Sequence, residues 1–237
     1  MNFPFRPERT EDLVEVGAGR VRLKGNLTLL PPAHEIILFA HGSGSSRHSP
    51  RNRYVAEMLH KAGLATLLID LLTAEEAAVD AQTAHLRFDI DLLSQRLVEA
   101  TDWLTHYADT AQLAIGYFGA STGAAAALVA AAQRPDLIHA IVSRGGRPDL
   151  AGAALTRVQA PTLLIVGGAD VPVIELNLRA LEQLGTPQKQ MIAIPGATHL
   201  FEEPGALEEV ARLTANWFTH PRRALVTAPK SEASLED

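Results

Sequence analysis

The sequence predicts an α/β fold: a mostly parallel central sheet with helices on both faces. Three observations carry this. Short, continuously apolar runs such as Ile36-Ile37-Leu38-Phe39-Ala40 read as strands covered on both sides. Longer stretches between them place apolar residues every three or four positions, as on an amphipathic helix. The two kinds alternate along the chain, which builds a parallel sheet whose ligands collect at the carboxyl ends of its strands.

The elements follow in order. Leu13-Val14-Glu15-Val16 and Val21 to Leu29 alternate in polarity around Gly17-Ala18-Gly19, the pattern of an antiparallel N-terminal hairpin at a sheet edge. After Pro31-Pro32 comes the first doubly covered strand, ending at Ala40. A helix is expected from about Arg51 to Ala62, stopped by Gly63, and then a strand over Leu64 to Ile69. Polar loop sequence leads to a long helix from about Asp89 to Tyr107, where Ile90, Leu93, Leu97, Leu104 and Tyr107 share one face. Leu113 to Phe118 is a strand and Thr122 to Gln133 a helix. Three more strands are expected at Ile138–Val142, Thr162–Val166 and Gln190–Ile194, with helices at about Val173–Leu184 and Leu207–Phe218.

Length and composition set bounds. A chain of 237 residues, 47% hydrophobic and 20% charged, can bury one sizeable core, so residues 1–220 are read as a single domain. The stretch from about Pro221 to Asp237 has few apolar residues and is expected to be a flexible tail. A net charge of -6 argues against nucleic acid as a partner. The N-terminus lacks the apolar core of a signal peptide, and the longest apolar run, Ala124 to Ala132, is too short to span a bilayer. A soluble cytoplasmic protein is the expectation, compatible with the absence of cysteine. Oligomeric state is left open.

The chemistry concentrates at Gly119-Ala120-Ser121-Thr122-Gly123, where a strand meets an alanine-rich helix. A serine at the apex of such a turn projects its hydroxyl clear of the sheet, and the flanking glycines let strand and helix pass closely. A serine hydroxyl needs a base to become nucleophilic, and that base needs an acid to fix its tautomer and stabilise its cation. His199 follows the last strand and precedes the final helix; Asp170 follows the strand ending in Val166. Asp170 also sits where an aspartate would cap a helix. Asp149, after Pro148, is a weaker candidate acid and is read as a helix cap. His139 lies in an apolar strand and is read as a core or edge residue; His34, His60, His85, His106 and His220 show no partner pattern.

An oxyanion needs two N–H donors. Thr122 supplies one, and the loop His41-Gly42-Ser43-Gly44-Ser45-Ser46 supplies the other, assigned to Ser43 with Gly44 as alternative. This loop lacks the lysine-bearing pattern of a phosphate-binding P-loop, and no spacing such as H-E-x-x-H suggests a metal site. No cofactor is expected.

Together His41-Gly42-Ser43-Gly44, Gly119-Ala120-Ser121-Thr122-Gly123, Gly168-Ala169-Asp170 and Gly196-Ala197-Thr198-His199 make the chain resemble the α/β-hydrolase superfamily over about residues 13–220. The resemblance implies the α/β-hydrolase fold and a Ser-Asp-His order of catalytic residues, which this chain keeps. Many such enzymes insert a helical lid where this chain has some eighteen residues between Val142 and Pro161, so no substantial lid is expected. The small, lidless layout is most similar to the dienelactone-hydrolase-like group. Enzymes properly called dienelactone hydrolases carry a cysteine nucleophile; Ser121 in its place is more like a general carboxylesterase. The implied activity is a serine hydrolase acting on a small-molecule ester, with lactone or thioester hydrolysis as the alternative. A binding module that has kept the scaffold without turnover is the alternative from another class. Arg47, His48, Arg51, Arg53, Arg144 and Arg147 are expected to border the mouth; Arg47 and Arg144 are candidate contacts for an anionic substrate group, against a plainer reading as solvated, carboxylate-paired arginines.

Overall fold

A computed structural model describes residues 9–220; the first seven residues, read for a leader, and the tail at 221–237 lie outside the described residues. The hairpin is β1 (Thr10–Ala18) and β2 (Val21–Leu29). Then come β3 (Glu35–Ala40), α1 (Pro50–Lys61), β4 (Ala65–Ile69), α2 (Ala74–Thr83), α3 (Ile90–His106), β5 (Ala114–Ala120), α4 (Thr122–Gln133), β6 (Ile138–Arg144), β7 (Thr162–Gly167), α5 (Val171–Gln183), β8 (Lys189–Ile194) and α6 (Ala206–Thr219). The eight strands form one sheet in the order β1-β2-β4-β3-β5-β6-β7-β8. β2 pairs antiparallel with β1 and β4, and every other pairing is parallel.

Alternation within each strand divides the core in two. Ile36, Leu38 and Ala40 of β3 face a cluster with α3 and α4, whereas Ile37 and Phe39 face one with α1 and α6. Phe39 and Phe118 meet in the second cluster with ring centroids 4.8 Å apart. Such doubly covered strands account for their unbroken apolar sequences.

The chain departs from the sequence reading at the hairpin, which turns at Gly19-Arg20 with Gly17 and Ala18 inside β1, and most in one later element. Residues 74–83, read as polar loop, form α2, because Thr73 and Glu76 make reciprocal capping bonds of 3.2 and 2.8 Å. The motif Thr-x-x-Glu was present in the sequence, but an alanine-rich segment with one buried residue, Asp80, has no apolar stripe to announce it. β5 and β6 also run two residues further than expected, to Ala120 and Arg144, which carries the arginine into the strand end. Between β6 and β7 there are only short 3₁₀ turns over Pro148–Arg157, kinked at Gly152, so no substantial lid stands there.

Register aligns the strand ends that matter. Ala40 pairs with Gly119, and Ala120 with Arg144. At this junction a Cβ on Gly119 would lie 2.4 Å from the Ala124 Cα, and one on Gly123 would lie 2.3 Å from the Ala40 carbonyl oxygen. Neither neighbour is a flexible side chain, so both positions are confined to glycine. Gly123→Ala is expected to lower the unfolding free energy by about 1–3 kcal/mol in urea titration, while Gly17→Ala, where a Cβ meets nothing within 4 Å, shifts it by less than about 0.5 kcal/mol.

Candidate active site

Ser121 is the turn between β5 and α4, with φ 51° and ψ −123°. A side-chain-bearing residue at positive φ costs about 1–3 kcal/mol and persists only where its surroundings hold it. Those surroundings are hydrogen bonds: the Ser121 N–H donates to the Arg144 carbonyl at 3.3 Å, and its own carbonyl accepts from Ala124 and Arg147 at 3.1 Å each. Its hydroxyl makes no hydrogen bond among the described residues and opens into a cavity of about 210 Å³, shared with His199, Arg51, Arg144 and Ser43.

Asp170 occupies the N-cap position of α5 yet makes no capping bond. Its Oδ2 instead lies 2.7 Å from His199 Nδ1. Backbone bonds fasten the two loops to each other: Gly168 N–H to Ile194 O at 2.8 Å and Ala169 N–H to Ala197 O at 2.9 Å. With Nδ1 engaged by the carboxylate, His199 Nε2 is the nitrogen left to act as base. Ser121 and His199 line one cavity, and no hydrogen bond joins their side chains. Asp149 is otherwise committed, receiving two bonds of 2.8 Å from Arg147 and capping nothing.

The Ser43 loop is pinned by an imidazole. His41 Nε2 accepts the Leu71 N–H at 3.0 Å, so Nδ1 carries the proton and donates to the Gly42 carbonyl at 3.0 Å. Ser43 Oγ and Thr122 Oγ1 then meet at 3.0 Å, holding the two expected oxyanion donors side by side. The amides of Ser43 and Thr122 have no acceptor among the described residues.

The arginines separate into two kinds. Arg47 is locked to Asp70 and to Asn26, the latter at 2.9 Å, and its charge is neutralised. Arg144 differs: it is 7% exposed, and its guanidinium has Asn52 Oδ1, at 3.1 Å, as its one hydrogen-bond partner among the described residues. Its Nε is buried without an acceptor, and its guanidinium carbon stands 5.9 Å above the Phe201 ring. Burial, then repulsion from Arg51, pulls its pKa down to about 10, so it stays charged at neutral pH. Arg51 bonds Glu202 at 3.0 Å and also has a buried Nε without an acceptor.

A second, larger chamber of about 880 Å³ lies behind the same loop. Ser43 and Thr122 form part of its wall, and α2 contributes Ala74, Ala77 and Ala81. Sequence reading missed it because α2 was missed. His139 sits at the far end of the sheet, 3.5 Å from Glu35, whose carboxyl is pushed up to about 7 by burial. Among the described residues no cluster of His, Cys, Asp or Glu is placed to hold a metal ion, and no helix is long and apolar enough to cross a membrane.

The profile of the dienelactone hydrolase family matches residues 31–219. The chain is 66% identical to a dienelactone hydrolase of known structure from Anabaena variabilis, with a TM-score of 0.88 over 90% of this chain and 98% of that one. It is 58% identical over 213 residues to proteins of two Mycobacterium tuberculosis strains that carry a provisional phosphoribosyl transferase name. That match takes in 90% of this chain and 47% of theirs, so the chain spans about half the length of these curated relatives. Est1E from Butyrivibrio proteoclasticus shares the fold, at 16% identity and a TM-score of 0.72 over 88% of this chain and 98% of its own.

Burial holds His41 and His60 below the ordinary histidine pKa of 6.5. Each therefore binds a proton less readily in the folded than in the unfolded chain, so the unfolded chain takes up more protons below that value. Their contribution to stability is complete above about 6.5 and is withdrawn as pH falls toward the folded values. The opposing trend of Glu35 cancels when two variants are compared, so the stability of the wild type relative to His41→Gln in urea unfolding is expected to shrink as pH falls below about 6.5.

Proposed function

The chain belongs to the dienelactone hydrolase family, and on that footing we propose that it hydrolyses carboxylic esters through an acyl-enzyme formed on Ser121. One observation carries the reading: the 2.7 Å contact of Asp170 with His199 on the rim of the cavity into which Ser121 opens. Residues up to 220 act together as the hydrolase unit.

In the first half-reaction Ser121 Oγ bonds to the ester carbonyl carbon while His199 Nε2 takes the serine proton. The carbonyl oxygen gathers negative charge and is met by the N–H groups of Thr122 and Ser43. One donor of this kind is worth about 2.7–4 kcal/mol of barrier. The tetrahedral species collapses, the carbon–oxygen bond to the alcohol breaks, and His199 gives its proton to the departing oxygen. Water then repeats the sequence: His199 takes its proton, the hydroxide oxygen attacks the acyl carbon, and the carboxylic acid leaves as Ser121 regains its proton. Asp170 keeps the imidazole in the tautomer this needs and stabilises its cation.

Lactone hydrolysis uses the same steps with the alcohol still tethered, and the Anabaena relative's name favours it as the second reading. The transferase name of the Mycobacterium relatives belongs to proteins about twice as long, and every residue of the mechanism above falls in the span that matches the hydrolase family. We assign that name to the remainder of those longer chains.

A fluorophosphonate probe is expected to label the intact protein rapidly and to leave Ser121→Ala unlabelled; an unlabelled wild type sinks the reading. Asp170→Asn should lower kcat for a simple phenyl ester by about 10³–10⁴-fold without altering the thermal midpoint. Asp149→Asn, at a carboxylate whose side-chain hydrogen bonds among the described residues all come from Arg147, should leave kcat within about twofold; the reverse pattern in steady-state assays would transfer the acid's role to Asp149.

A further inference from the structure

Two cavities flank the Ser43 loop, and they differ in which catalytic groups they contain. The smaller has Ser121 and His199 in its wall; the larger has Ser43 and Thr122 but neither of those two. Under the ester-hydrolase reading, on which this inference rests, the proton on His199 must reach the leaving oxygen. The alcohol therefore departs on the His199 side, and the acyl group extends past the oxyanion donors into the larger chamber.

Charge separates the two cavities as well. In the larger chamber Arg22 is paired with Glu15, Arg47 with Asp70 and Arg87 with Asp80, and Lys24 and Glu75 add one charge of each sign. Apolar side chains, among them Leu71, Leu72 and Leu93, supply much of the remaining wall. No described carboxylate lines the smaller cavity. Arg144 stands in its wall with no ion pair among the described residues, and Arg51 beside it has one exposed partner, Glu202. An enclosed guanidinium without a counter-charge is costly to bury. Arg144 is such a group, and with Arg51 beside it in the wall that also holds Ser121 it makes a receptor that an anion completes.

We propose that the small cavity holds the leaving alcohol and that this alcohol carries an anionic oxyacid group, a carboxylate or a phosphate, bound by Arg144 and Arg51, while an uncharged acyl group fills the chamber walled by α2. The volumes agree. About 210 Å³ suits a compact charged group, and about 880 Å³ lies within the usual range for small-molecule pockets.

Four esters test this with the full chain. Three are butyrates, of methyl 4-hydroxybenzoate, of 4-hydroxybenzoate and of 4-hydroxyphenyl phosphate; the fourth is the hemisuccinate of methyl 4-hydroxybenzoate, which moves the charge to the acyl side. Each kcat/KM is divided by the hydroxide-catalysed rate of the same ester. The anionic leaving groups are expected to win over the neutral one by roughly 10- to 100-fold, the range for a charged hydrogen-bonded contact. The hemisuccinate should gain nothing. The stronger of the two anionic butyrates identifies carboxylate or phosphate as the natural group. In Arg144→Gln the advantage should shrink toward unity, and Arg144→Lys should restore part of it. If Arg144→Gln fails to fold, Arg51→Gln, altered at a partly exposed side chain, reads the same ratio. Equal rates for charged and neutral leaving groups, or a preference that follows acyl charge, overturn the assignment while ester hydrolysis stands. No turnover of any of the four, together with no fluorophosphonate labelling, overturns both.

Discussion

The close passage of β3, β5 and α4 at Ser121 is the constraint on which the rest depends. Gly123 lets the first turn of α4 rest against the Ala40 carbonyl, and Gly119 lets β5 pass under Ala124. With both backbones this near, the chain has no room to turn except through positive φ at Ser121. That turn lifts the hydroxyl off the sheet and leaves the α4 amides facing the same space, where the helix dipole favours negative charge. Strain here is held by the neighbouring strand, since the Ser121 N–H is anchored to Arg144 of β6.

The sheet then brings in the other parts. Parallel strands deliver their carboxyl ends to one edge, so loops distant in sequence become neighbours. β3 contributes the Ser43 loop, β6 Arg144, β7 Asp170 and β8 His199. Phe201 is a second residue at positive φ, 56°, and its buried ring lies under the Arg144 guanidinium. The loop that carries His199 is thus packed against the buried cation.

Electrostatics gives the two sides of the loop different tasks. Paired charges, as at Arg47 with Asp70 and Arg87 with Asp80, brace the walls of a chamber without making it selective for charge. A guanidinium that lacks such a partner has its hydrogen-bonding capacity still available. Family membership identifies the scaffold and the class of chemistry; the pairing of individual charges in the cavity walls is a feature that family resemblance does not carry.

Much of this was legible in the sequence. The doubly covered strands, the helix over Thr122–Gln133 and the glycines around Ser121 follow from local pattern, because unbroken apolar runs, helical periodicity and tight turns each restrict residue type over a few positions. The identities of Ser121, Asp170 and His199 as candidates followed from their places after particular strands. Tertiary structure alone decided the rest. It decided that Asp170 turns toward His199 and leaves its cap unmade, that Asp149 is held by Arg147, and that α2 stands as a chamber wall. It also separated Arg47 from Arg144, two arginines alike in a linear reading, by giving one a carboxylate and burying the other without any. The reason is physical: pairing and burial of a charge depend on what folds against it from elsewhere in the chain, and no local pattern contains that information.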